Sequence, residues 1–533
     1  MATTQVSEEF IDHTTVLALR EKSKLQKHFK RFDVLFFLVC TLVGVDTIGA
    51  VASNGPQGFT WLIFLGIFFF IPYGLLTAEL GSTFPEEGGP YVWTRLAFGR
   101  LAAAINSVIY WVSNPIWLGG SLTILAVTAF GEFFVPLEGI WKYVFSLVFI
   151  WTGVAAVILS TNIGKWVPTI GAFTRIFVFG FFTVSVVIYA IQNGVNGFGA
   201  GEFVPTYAAF IALVPVLFFN YVGFELPSTA GEEMKDPKKD VPYAVIRSAG
   251  LTLLLYGLPI LGILLVVPTD QVTGLEGLLT AIATVFTVYG GSIAADGTVT
   301  LTGLGQVLGD IAAIAFILML LSSGTTWIMG ADRAMAAAGF DGSGPRSFGK
   351  ISARFGTPVV VNLWTGVISS TTMIAAYLFI GDNPNKYFAA VLGLAISTTT
   401  ISYLMIFPAL AKLRKTHPHV ERPYLVPGGR AGAVIVSWLT FAWAAFATVV
   451  LLWPGFGIGW FGTEGNMNDS LLDYSFGVDE RLQFELTQFV PLLFFVGVGV
   501  LFYLLGERTR REPVDIAFEQ ELAIDAGGAA PTA

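Results

Sequence analysis

The chain has 533 residues, of which 54% are hydrophobic and only 12% charged, a composition too apolar for an ordinary soluble protein. The formal net charge of −8 comes largely from the tails and the expected outer loops and singles out no class of partner. One cysteine, Cys40, excludes a disulfide within the chain; inside an apolar segment, its expected role is packing.

In chain order, the first 33 residues are polar and basic and lack the short apolar core and small-residue cleavage site of a secretory signal. The first apolar segment is therefore expected to stay as a membrane anchor. Windows of roughly 20 mostly apolar residues, the length that crosses a hydrocarbon core, recur near 34–53, 60–80, 100–130, 142–161, 166–190, 209–234, 242–267, 305–335, 358–381, 387–412, 431–453 and 488–505. These are spans 1 to 12. The stretch 277–290 is apolar but short, and is expected to form an interfacial or loop helix. The tail from Glu512 reads as disordered. Lys and Arg accumulate in short cytoplasmic loops. With the N-terminus inside, all of the 29 basic residues except Lys142, Lys386, Arg481 and the span-5 residue Arg175 fall on the cytoplasmic side. Both termini are thus expected to be cytoplasmic, in a multi-pass protein of the plasma (inner) membrane.

Two spans carry the same phrase: Val43-Gly44-Val45-Asp46 in span 1 and Val222-Gly223-Phe224-Glu225 in span 6. A carboxylate inside a span costs about 3 kcal/mol or more, so it turns toward a cavity, a partner charge or a proton path. Transporters built from inverted repeats place their substrate near the midplane, where the corresponding helix of each half is broken. The phrases are read as two halves of one binding site. In span 1, Gly44 and Gly49 bracket Asp46 and Thr47; glycine lets the backbone leave helical geometry. The alternative, glycines that only permit close helix packing, needs no carboxylate between them. In span 6, Pro227 removes a helical hydrogen bond just after Glu225 and is the expected mechanical cause of the break. A kinked helix with a neutral, structural Glu225 is the alternative.

All four histidines, His13, His28, His417 and His419, lie in the N-terminal segment or a cytoplasmic loop, so a proton path has to use carboxylates. Asp46 and Glu225 are the candidates, with Glu79 and Asp310 nearer the membrane edges and structural. Tyr110, Trp111, Trp117, Phe219 and Trp327 are candidates to line or gate a cavity. No embedded His/Cys cluster, phosphate-binding glycine loop or sizeable soluble domain is present in the sequence, which disfavours a membrane enzyme or receptor. No metal, no other cofactor and no nucleic-acid partner are expected.

Four further phrases extend the pattern. Ala78-Glu-Leu-Gly-Ser-Thr-Phe-Pro-Glu-Glu-Gly-Gly-Pro-Tyr91 follows span 2 and Ala230-Gly-Glu-Glu-Met-Lys-Asp-Pro-Lys-Lys-Asp-Val-Pro242 follows span 6. Gly330-Ala-Asp-Arg-Ala-Met-Ala-Ala-Ala-Gly339 lies between spans 8 and 9, and Glu421-Arg-Pro-Tyr-Leu-Val-Pro-Gly-Gly429 past span 10. Over roughly residues 34–430 the chain resembles the amino acid–polyamine–organocation permeases. The resemblance implies an all-α polytopic membrane protein of twelve transmembrane helices with a leucine-transporter-like fold and broken helices 1 and 6. Inverted five-helix repeats would occupy 34–208 and 209–412, preceded by a cytoplasmic segment at 1–33. Helices 11 and 12 would follow at 413–505, then a disordered cytoplasmic tail at 506–533. The implied function is a secondary active permease moving amino acids by alternating access with proton coupling. Polyamine or organic-amine import and amino acid/amine exchange stay open.

At residue level, Gly223 and Glu225 match a Gly-x-Glu of the family's arginine/agmatine and glutamate/GABA antiporters, and Phe219 falls where the former carry a gating Trp. Amino acid permeases commonly hold the substrate carboxylate on a Gly-Ser-Gly phrase in span 1. This chain has Val45-Asp46-Thr47-Ile48-Gly49 there, and Gly44-Val45-Asp46 resembles a Gly-Ile-Glu phrase of eukaryotic polyamine transporters. An ionised Asp46 would repel a carboxylate and attract an amine; a protonated Asp46 would be neutral to both. The expected substrate site is Gly44, Val45, Asp46, Thr47 and Gly49 with Phe219, Val222, Gly223 and Glu225, and the expected gate residues are Phe219, Tyr110 and Trp117. Arg175, ten residues after Lys165, resembles a span-5 lysine of sodium-independent members. It implies a fixed cation in place of sodium, tying span 5 to span 1 or span 8, and an Arg cannot shed its proton. Snorkelling of Arg175 and a sodium site on Ser322 and Ser323 are the alternatives. The family's disulfide-linked heterodimers use an outer-loop cysteine, so no such subunit is expected. The partners are a small-molecule substrate, protons and the bilayer.

Overall fold

The computed structural model describes residues 15–159, 165–268, 271–272, 275–294, 297–380, 383–457, 459–462 and 480–511. The tail from Glu512, expected to be disordered, lies outside the described residues. Among the described residues, eleven helices are long and apolar enough to cross a membrane: Pro56–Thr83, Arg100–Phe133, Ile140–Ile158, Trp166–Asn193, Tyr207–Glu233, Pro237–Val266, Gly303–Phe340, Val359–Phe379, Pro384–Thr416, Gly429–Leu452 and Arg481–Arg510. They correspond to spans 2 to 12. Three of them start at proline, Pro56, Pro237 and Pro384, in the first turn where a missing N–H removes no helical bond. Span 1 falls outside the eleven because it is divided into Arg31–Leu42 and Ile48–Ala52, each too short to cross alone.

The stretch near 277–290 forms the helix Gly277–Phe286, in which every residue but Thr280 is buried. Its apolar residues are thus covered by the protein itself. The helix abuts the second half of span 1: a Cβ on Gly277 would lie 3.3 Å from Gly49 Cα. The all-helical expectation also omits a short antiparallel ribbon between spans 7 and 8, in which Gly291–Ile293 (β1) pairs with Val299–Leu301 (β2). Gly290 and Gly291, at φ 145° and 146°, lead into it with a backbone that side-chain-bearing residues rarely adopt.

The terminal segments are partly built into the bundle. Val16–Lys22 is helical, capped by Thr15, which accepts from Ala18 N at 3.1 Å and donates its hydroxyl to the Phe340 carbonyl. Glu21 accepts from Ile351 N at 2.8 Å, and Lys22 Nζ lies 2.6 Å from Glu232 Oε1. At the other terminus Glu507–Arg510 is a helical turn, with Arg510 donating to the Gly342 and Tyr503 carbonyls. Disorder therefore does not begin at 506.

These contacts gather at one end of the bundle, where the four sequence phrases that follow spans 2, 6, 8 and 10 also meet. Arg333 Nε is 2.6 Å from Glu233 Oε1 and 3.9 Å from Glu87 Oε1, and all three side chains are buried. Glu79 accepts from Arg414 Nε at 2.6 Å, Arg422 Nη1 at 3.3 Å and Val426 N at 2.8 Å. Asp341 accepts from Tyr91 and, at 2.9 Å, from Arg95 Nη1. Such buried pairs tie loops distant in sequence, because removing one partner strands the other charge at a cost of about 3–5 kcal/mol. The exposed pair Lys238–Glu421 carries little by comparison.

Glu87 sits in the loop between Thr83 and Pro90, with Oε2 unpartnered. Burial, and then the neighbouring Glu233, hold its carboxyl well above the usual carboxylate range; Arg333 and Lys22 oppose this without outweighing it. The folded chain thus binds that proton more tightly than the unfolded one, and stability falls as pH rises from the usual carboxylate value toward the raised one. Glu87→Gln is therefore expected to melt higher than the parent at alkaline pH, with the difference vanishing on acidification. Thermal unfolding of the purified protein across about pH 5 to 8 checks this. Equal melting temperatures throughout would mean that Glu87 is charged and compensated.

Candidate functional site

Span 1 stops at Leu42 and resumes at Ile48. Backbone groups freed inside a membrane have to find partners within the protein, and three side chains from other spans supply them. Arg175 Nε donates to the Val43 carbonyl at 2.8 Å and Trp327 Nε1 to the Thr41 carbonyl at 3.1 Å. The Gly44 N–H donates to the Tyr256 hydroxyl at 2.9 Å. A Cβ at Gly44 would stand 3.0 Å from Asp46 Oδ1, so the glycine makes room for that carboxylate. Asp46 is buried; its Oδ2 accepts from Trp117 Nε1 at 2.7 Å, while Oδ1 has no partner among the described residues. Thr47 Oγ1 lies beside the Tyr256 hydroxyl. Val45 is buried with them, and Gly49 lies under the helix Gly277–Phe286.

Span 6 is helical over Tyr207–Tyr221 and resumes as a 3-10 helix at Leu226–Glu233. Pro227 is not the cause of this break. It lies in the first turn of the second piece, where proline is tolerated, and the chain leaves the helix at Val222 and Gly223. Gly223 has φ 129°, and a Cβ there would come 2.6 Å from Thr41 Cγ2 and 3.0 Å from Trp327 Cζ2. The two breaks touch at this point, which only glycine permits.

The two acids are not side by side. Glu225 Oε1 accepts from Tyr110 at 2.8 Å and Tyr403 at 2.6 Å, and Oε2 accepts from Tyr73. The Tyr73 hydroxyl also receives the Gly223 N–H at 3.0 Å, so it links the freed backbone to the acid. Asp46 and Glu225 are held by Trp117 and Tyr110 of the helix Arg100–Trp117. Seven residues apart, these lie on one face, roughly 10 Å apart along the axis. Each acid thus has its own donors.

Among the aromatics, Trp117 meets Phe219 edge-on at 5.7 Å and Trp327 at 6.3 Å, a connected lining beside Asp46. Tyr110, expected as a gate, is instead a donor to Glu225. Trp111 is also elsewhere, donating to Asp332 at 2.8 Å.

Arg175 is fully buried, which rules out snorkelling. Besides Val43, its guanidinium reaches the Gly171 and Met319 carbonyls, both at 2.8 Å, Ser322 Oγ at 3.0 Å, and Ser323 Oγ. All five N–H donors are used, on carbonyls and hydroxyls alone. The two serines read as possible sodium ligands and the arginine read as a sodium substitute are therefore one cluster, joining spans 1, 5 and 8.

The sequence reading missed Tyr73, Tyr256 and Tyr403. The available signal was chemical: a tyrosine deep in an apolar span needs a partner for its hydroxyl. Which partner could not be read, because each lies in another span.

Comparison with known proteins identifies the family. A family model described as amino acid permease matches residues 29–468. A probable agmatine/putrescine antiporter of Lactococcus lactis is 29% identical over 410 residues, covering 76% of this chain and 83% of the relative. An uncharacterized transporter of Legionella pneumophila is 27% identical over 425 residues, covering 76% and 86%. The chain is a multi-pass membrane transporter, not an enzyme, and belongs to the amino acid permease family of the amino acid–polyamine–organocation superfamily.

Proposed function

We propose that the protein is a sodium-independent secondary transporter of organic amines in the chemical class of agmatine and putrescine, working by alternating access around the two broken spans. One observation carries the choice of substrate: Asp46, buried in the span-1 break, keeps Oδ1 unpartnered at the place where the resemblance to amino acid permeases would lead one to expect a carboxylate-binding phrase. A free carboxylate oxygen in a low-dielectric site attracts a cation and repels an anion. The similarity to the probable agmatine/putrescine antiporter of Lactococcus lactis supports the same class. An amino acid substrate, the wider family's description, requires a protonated Asp46.

Counting the divided span 1 as one crossing gives twelve, with spans 1–5 and 6–10 as inverted repeats related through their first, broken helices. The end that gathers Lys22, Arg95, Arg333 and Arg414 is the cytoplasmic one, and both terminal segments dock there. Glu225, saturated by three tyrosines, keeps the span-6 break in shape, and Asp46 carries the charge that substrate or a proton neutralises in turn.

Uptake of radiolabelled putrescine and leucine into proteoliposomes tests this. Asp46→Asn is expected to weaken putrescine affinity at least about tenfold, the loss of one charge-assisted bond. Glu225→Gln, which places an amide N–H against a phenol donor, is expected to lower turnover with less effect on affinity. Putrescine uptake by the parent should fall as the medium is acidified, since a protonated Asp46 no longer attracts an amine. Leucine uptake that rises on acidification, without putrescine uptake, would return the protein to the proton-coupled amino acid class.

Arg175→Ala empties the joint between spans 1, 5 and 8, leaving the Val43 and Met319 carbonyls without their donor. Turnover in sodium-free buffer is expected to drop at least about tenfold and to recover in part when sodium is added. Unchanged, sodium-independent transport would show that the guanidinium is dispensable.

A further inference from the structure

Asn220 of span 6 is buried at 3% exposure, and neither Nδ2 nor Oδ1 has a hydrogen-bond partner among the described residues. Leaving both ends of a buried amide unpaired is costly and calls for a reason. Its helix position says where it faces. Successive helical residues turn by about 100°, so Asn220 lies on the face between Phe219 and Tyr221. The Phe219 ring meets Trp117 at 5.7 Å and the Tyr221 ring meets Tyr256 at 6.2 Å. Trp117 holds Asp46 and Tyr256 holds the Gly44 N–H. The span-1 break therefore stands opposite the interval between these two ring contacts, where Asn220 projects. Phe218, on the far side of the helix, packs against Phe69 and Tyr403 instead. On the facing break, among the described residues, Asp46 Oδ1 is unpartnered and Thr47 Oγ1 lies beside the Tyr256 hydroxyl with acceptor capacity to spare.

We infer that Asn220 is a substrate-binding residue that selects primary amines, its side-chain carbonyl joining Asp46 Oδ1 and Thr47 Oγ1 as three acceptors for one ammonium group. This rests on the amine reading above. A primary ammonium has three N–H donors and no acceptor, so three acceptors carrying one negative charge satisfy it in both number and charge. A neutral amide adds an acceptor without a second carboxylate to repel Asp46. The unpaired amide of the substrate-free protein is then a group held ready for a ligand.

The test uses the purified full-length protein, with putrescine and leucine as competing probes and thermal unfolding in the absence of either. Asn220→Leu is expected to bind putrescine at least about tenfold more weakly and yet to melt higher than the parent, because an apolar group of similar size replaces an unpaired amide. Asn220→Gln keeps a neutral carbonyl acceptor and should bind putrescine more tightly than Asn220→Leu. If Asn220→Leu binds putrescine like the parent while Asp46→Asn does not, Asn220 has no part in the site and the amine reading stands. If Asn220→Leu melts lower, the amide serves the fold and the assignment is overturned. A parent protein that binds leucine but not putrescine overturns the amine reading itself, and the ammonium seat with it.

Discussion

Inside a bilayer, a peptide group that leaves a helix has no water to turn to, and this requirement organises the centre of the protein. Breaking spans 1 and 6 frees carbonyls and N–H groups that side chains from other spans have to meet. Arg175 and Trp327 take the carbonyls of Val43 and Thr41, and Tyr256 and Tyr73 take the N–H groups of Gly44 and Gly223. Each of these bonds also joins two spans. The breaks and the helix contacts around them are therefore one structure, and movement of either break has to exchange these bonds.

The buried carboxylates divide by how fully they are satisfied. Glu79 faces two arginines and a backbone N–H, Asp332 accepts from Trp111, Thr365 and Asn362, and Glu225 accepts from three tyrosines. In each, both oxygens are used, which makes these acids rigid joints between spans. Asp46 has one oxygen held by Trp117 and the other free. A carboxylate fixed in place but half satisfied is suited to a transient cation, whether a proton or an ammonium, because binding completes its shell without rebuilding the site.

At the end that gathers the terminal segments, charges do what backbone hydrogen bonding does in the middle. Glu87, Glu233 and Arg333 come from the segments after span 2, at the end of span 6 and in span 8, and Glu79, Arg414 and Arg422 join span 2 to the end of span 10 and the loop beyond. The phrases by which the chain resembles its family are thus the places where distant loops meet, and their acids and bases are partners of one another.

Much of this was legible in the sequence. Apolar windows marked the spans to within a few residues, since the length that crosses a membrane is set by helix rise and bilayer thickness. The Gly-x-acid phrases marked both breaks, since a glycine beside a carboxylate has no use on a lipid-facing helix, and the divided span 1 was placed although neither half is long enough to be recognised alone. Pro227 misled, because a proline breaks a helix only in its interior and here it opens a new turn. The sequence by itself thus determined where the chain crosses, where it breaks and which acid types stand there. Only the tertiary structure decided that Glu225 is caged by Tyr73, Tyr110 and Tyr403, that Ser322 and Ser323 face Arg175, and that Asp46 and Asn220 are left with free atoms. Those outcomes depend on which side chains from remote spans arrive within about 3 Å, and chain order holds no record of that distance.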